Sequence, residues 1–145
     1  MGSDSLPAEL LTMGEKPSTI PVLVGVGLGI GSAVLYILLK VGYGSGSLDV
    51  AAYDFWAGVH IWGSIAAGIG LSTAMGYAGA SVVRSVSLGI IPVVGLITGS
   101  AITVVGGLGR YDSSPVVLGI GLLLGSGVLC GAGWLIGYAV RWQLH

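Results

Sequence analysis

No charged side chain falls between Lys16 and Lys40, between Asp54 and Arg84, between Arg84 and Arg110, or between Asp112 and Arg141. These intervals consist mostly of Gly, Ala, Val, Leu, Ile, Ser and Thr. Each is about the length that crosses a bilayer as a helix, since the apolar core takes roughly 20 helical residues. The expected fold is therefore all-α: an integral membrane protein with four transmembrane helices in an antiparallel bundle and both termini on one side. The helices are expected near 20–40, 50–78, 82–108 and 115–141. Together they form one domain over 20–145, behind a polar tail at 1–19.

Composition agrees. Charged residues make up 8% of the chain, and the mean hydropathy is +0.98. Soluble domains carry about 25% charged residues, so this chain could not solvate its own surface in water. The net charge of -1 gives no footprint for nucleic acid. Cys130 is the only cysteine and reads as a small core residue.

The tail carries Asp4, Glu9 and Glu15 where a secretory signal needs a basic start. Leu6 stands where a myristoylation signal needs Ser or Thr. After Asp4 and Ser5, the residues Leu6, Leu10, Leu11 and Met13 fit a short interfacial helix. Lys16, Arg84 and Arg141 gather on the side of the termini, and Lys40 and Arg110 on the other. That count favours cytoplasmic termini. Tyr43, Tyr53, Trp56 and Tyr111 mark one interface, and Tyr77, Tyr138 and Trp142 the other.

Glycine is the second outlier, at 28 residues. It falls inside the apolar runs, where it lets helix backbones approach. Rows spaced by four include Gly25 with Gly29, Gly27 with Gly31, Gly63 with Ala67, Gly95 with Gly99, and Gly121 with Gly125. The first helix carries two such rows on different faces, more than a single packed face requires. The segment PVLVGVGLGIGSAVLY (21–36) aligns on PVVLGIGLLLGSGVLC (115–130) with nine of sixteen positions identical. Shared packing demands account for this better than an inverted repeat, because helices two and three show no counterpart. Pro92 removes the backbone bond to the Leu88 carbonyl and should kink the third helix. Thr98, Ser100 and Thr103 follow it and can bond back to carbonyls.

Polar chemistry concentrates at the start of the second helix. His60 is the one histidine in an apolar run, and it shares a stripe with Tyr53, Trp56 and Ser64. Asp54 lies about 120° away around the axis. These residues and Arg84 are the candidate contacts for a ligand or partner. His60 is expected to hydrogen-bond between helices or to a partner chain. Axial ligation of a haem or pigment is a second role, but a bis-histidine site would need its second histidine from another chain. No cofactor is otherwise expected. One His, one distant Asp and one Cys make no zinc or copper set. No serine has a His and an acid at triad spacing. The glycine run 25–31 lacks the strand and acid of a dinucleotide site, and no mid-membrane carboxylate fits an ion-carrying rotor.

The expected function is thus a non-catalytic structural or accessory subunit. It would be held among other membrane subunits, or copies of itself, by Gly-rich faces. A small oligomeric channel or transporter is the alternative, and a haem- or pigment-binding electron-transfer subunit a further one.

Overall fold

A computed structural model describes residues 19–107 and 115–144, the side chains of 115–118 excepted. The expected interfacial helix of the tail and the turn at 109–114 lie outside the described residues. Five helices follow in order: α1 (Ile20–Gly44), α2 (Val50–Ala78), α3 (Val82–Gly89), α4 (Ile91–Val105) and α5 (Pro115–Leu144). Among the described residues there is no strand.

Local chemistry sets the ends. Pro21 sits in the first turn of α1, where its missing N–H is no loss. Asp49 caps α2 by accepting from the Ala52 N–H at 2.7 Å. At the other end of α2, Gly79 adopts φ 87°. Its N–H reaches the Gly76 carbonyl, and the Ala80 N–H reaches that of Met75, the paired closure that a left-handed glycine permits. Ser81 caps α3.

Three boundaries differ from the sequence expectation. α1 continues to Gly44, so Lys40 lies inside its last turns and does not close it. α5 runs on to Leu144. The third expected helix is two pieces, interrupted at Ile90 and not at Pro92 itself. Pro92 is in the first turn of α4. Pro92 has no N–H to offer the Leu88 carbonyl, and its ring crowds that carbonyl, so the interruption falls in the turn ahead of it.

Three helical stretches are long and apolar enough to cross a membrane: α1, the α3–α4 pair over Val82–Val105, and Gly119–Leu144 of α5. That is compatible with an integral, multi-pass membrane protein. α2 has 29 residues, but Tyr53, Asp54, His60, Trp62 and several Gly and Ser lower its apolarity, and it is not among the three.

α1 lies mainly along α4, and α2 mainly along α5. α2 also touches α1, α3 and α4, whereas α1 and α5 stand apart. Gly25 meets Leu88 and Ile91, Gly29 meets Gly95, and Ala33 meets Gly99. The numbers rise together, so α1 and α4 run the same way. Cys130 beside Gly68, Trp134 beside Gly76, and Arg141 beside Gly79 say the same of α2 and α5.

The interior is small and hydroxylated. Ser32, Ser64, Ser72, Ser85, Thr103 and Ser126 are buried, with Met75, Leu88, Val93, Leu96, Cys130 and Trp134 as the larger apolar members. Leu23, Ile30, Leu38, Trp62, Ile102, Leu124, Val128 and Ile136 all face outward. A water-soluble bundle buries such residues. Here they form an apolar exterior suited to lipid.

Candidate functional site

The polar groups of α1 and α2 meet along one seam. On α1, Ser32, Tyr36 and Lys40 recur every four residues and share a face. On α2, His60, Ser64, Gly68, Ser72 and Gly76 do the same. At the inner end, the Ser32 and Ser64 hydroxyl oxygens are 3.0 Å apart. His60 Nε2 is 3.0 Å from the Ser32 carbonyl oxygen and 3.3 Å from its hydroxyl. A carbonyl only accepts, so Nε2 carries the proton and donates. Neutral His60 then has Nδ1 as its acceptor.

At the outer end, Lys40 Nζ lies 4.9 Å from the Tyr53 ring centroid and 6.0 Å from that of Tyr36. The Tyr43 and Tyr53 rings pack at 4.8 Å. The seam therefore passes from an ammonium among tyrosines to a histidine–serine cluster inside.

A second polar line joins α2 to α5 and the α2–α3 turn. The Ser72 hydroxyl donates to the Cys130 carbonyl at 2.7 Å. Trp134 Nε1 donates to the Ala80 carbonyl at 2.8 Å, and its ring stacks on Tyr138. No buried side-chain N or O among the described residues lacks a partner.

The sequence candidates separate into groups. His60, Ser64 and Tyr53 are on the seam. Trp56 is exposed and meets Phe55 edge-on at 5.3 Å, and Asp54 is exposed. Arg84 is half-buried in the first turn of α3, where its N–H meets Ser81 Oγ. Pro92 is fully buried. The hydroxyls of Thr98 and Thr103 donate to the carbonyls of Val94 and Ser100.

The glycines also divide. Gly25, Gly29, Gly95 and Gly99 lie at the α1–α4 contact. A Cβ on Gly29 would stand 2.6 Å from Ile91 Cγ2, and one on Gly99 2.7 Å from the Ala33 carbonyl oxygen. A Cβ on Gly27, Gly31, Gly63, Gly121 or Gly125 would meet nothing within 4 Å. Sequence reasoning did not single out Ser32, Ser72, Tyr36 or Trp134. For Ser32 and Tyr36 the available signal was their four-residue spacing to Lys40.

Among the described residues no three of His, Cys, Asp or Glu converge to hold a metal ion. Axial ligation through His60 Nε2 would require breaking its bond to Ser32. No family model, curated protein or solved structure matches this chain.

Proposed function

We propose that the chain is a four-crossing membrane protein, with sequential helices antiparallel, that serves as a non-catalytic accessory subunit of a larger membrane assembly. The observation that carries the reading is the open set of glycines. Gly27, Gly31, Gly63, Gly121 and Gly125 have no neighbour that their lack of a side chain accommodates, yet glycine is a poor helix former. Packing against another chain gives them a use, because small residues let helices approach in lipid. The interior polar groups support the same reading, since His60, Ser32, Ser64 and Ser72 bond to one another or to backbone.

In this reading α2 is the fourth crossing. Its length of ~43 Å exceeds the apolar core, and its polar face turns toward α1 and α5, out of lipid. The termini then share one side, placed in the cytoplasm by the positive charges.

Mild-detergent extraction from the native membrane, followed by native mass spectrometry and an absorption spectrum, tests the proposal. Other chains co-migrating with this one are expected. A stable monomer that captures nothing would overturn it.

The α1–α2 seam favours a second reading, an oligomeric channel or transporter with His60 on its path. Liposomes containing only this chain should then pass solute, and His60→Ala should slow the flux. A sealed liposome removes this reading.

A further inference from the structure

We propose that the outer end of the α1–α2 seam is a binding site for a phosphate oxyanion, with Lys40 as the cation and Tyr36, Tyr43 and Tyr53 as its frame. Lys40 is half-buried in the last turns of α1. The Tyr36 and Tyr53 rings face its ammonium, and Tyr43 packs on Tyr53. Asp49, the nearest acid in sequence, is committed to capping α2 through the Ala52 N–H. Asp54 is exposed on α2. Lys40 thus carries a positive charge that no described residue pairs in an ion pair, at the end of a helix apolar enough to span a bilayer.

The surroundings specify the counterion. Lys40 offers three N–H donors and each tyrosine one O–H. The Tyr53 and Tyr36 rings hold the ammonium by cation–π contact, which fixes its position without neutralising it. The oxygens of a phosphodiester are acceptors only, and they match a donor set with no acid in it among the described residues. Val41, next to Lys40, and Val50, one turn before Tyr53, are exposed and suit acyl chains. The headgroup of an anionic phospholipid supplies both parts, while free phosphate supplies only the first. The inference needs α1 in a bilayer and does not rest on the accessory-subunit reading.

The test uses the full chain in mild detergent. It is offered dioleoylphosphatidylglycerol and dioleoylphosphatidylcholine at equal concentration, and native mass spectrometry counts retained lipid. Wild-type protein should favour phosphatidylglycerol. Lys40→Gln should lower its retention about fivefold, the worth of one lysine at an anionic surface, and leave phosphatidylcholine unchanged. Lys40→Arg should preserve the preference, and Tyr53→Phe should weaken it. A millimolar excess of inorganic phosphate distinguishes the sources: displacement of the lipid assigns the site to soluble phosphate, and persistence assigns it to the headgroup. Equal retention of both lipids by wild-type protein overturns the proposal. So does a Lys40→Gln variant that melts like wild type and keeps the preference. The wild-type comparison and Tyr53→Phe stand even if Lys40→Gln does not fold.

Discussion

His60 and Ser32 are joined twice, through the Ser32 carbonyl at 3.0 Å and its hydroxyl at 3.3 Å, both to Nε2. The bond crosses from α2 to α1 and extends through Ser32 to Ser64. Interhelical hydrogen bonds in membranes average about 0.6 kcal/mol and reach about 1.7. Replacing His60 by Ala should therefore lower stability by about 1 kcal/mol, measured by unfolding in sodium dodecyl sulfate. A double-mutant cycle of Ser32→Ala with Ser64→Ala should give coupling of about 0.5 kcal/mol or more. Additive effects would mean that the hydroxyl pair does not hold the helices.

The two kinds of glycine, at the α1–α4 contact and on the open face, should respond very differently. A methyl group on Gly95 falls on the Gly29 carbonyl, and forcing such overlap costs about 1–3 kcal/mol. Gly95→Ala should lose that much in the same unfolding assay. Gly27→Ala should stay within about 0.5 kcal/mol of wild type, since nothing lies within 4 Å of its Cβ. If Gly27→Ala keeps its fold but loses co-purifying chains, the open face is where they attach.

Whether α2 crosses can be read by labelling. In a Cys130→Ala background, Ser47→Cys and Ala78→Cys place thiols at opposite ends of α2, both at exposed positions. An impermeant maleimide on sealed, oriented vesicles should reach one and not the other. Labelling of both from the same side would show that α2 does not cross.

Cys130 is 1% exposed and sits where Gly68 and Gly89 come together. N-ethylmaleimide should leave it unmodified in the folded protein and add once after denaturation, read by intact mass. Trp134→Phe, which removes the bond to Ala80, should make it react sooner. Rapid modification of folded wild-type protein would contradict the packing of α5 on α2.

The charge gaps were enough to place the helical class and three apolar spans, because the solvent dictates both. The inward face of each helix was harder to read. Gly25 with Gly29 and Gly27 with Gly31 have the same spacing, and nothing local says which row turns inward. The partner decides, and Gly95 and Gly99 are some seventy residues away. Ser32 and Ser72 look in sequence like any serine in an apolar run, and their roles come from His60 and Cys130 across a helix contact. The likeness of 21–36 to 115–130 was visible as a pattern, and the structure gives it physical content. Gly25 and Gly119 are both buried, as are Ser32 and Ser126, while Gly27, Gly31, Gly121 and Gly125 are open. α1 and α5 do not touch one another.

An exterior of large aliphatics around an interior of glycine and serine reverses the usual map of mutational tolerance. Outward positions such as Leu23, Ile30 or Val128 ask only for greasiness, so many residues can fill them. Gly68, Gly76 and Gly137 each lie against a backbone carbonyl, and there even one added carbon collides. Sequence drift in such a molecule would run over its surface of bulky residues, and its buried glycines would be the slowest to change.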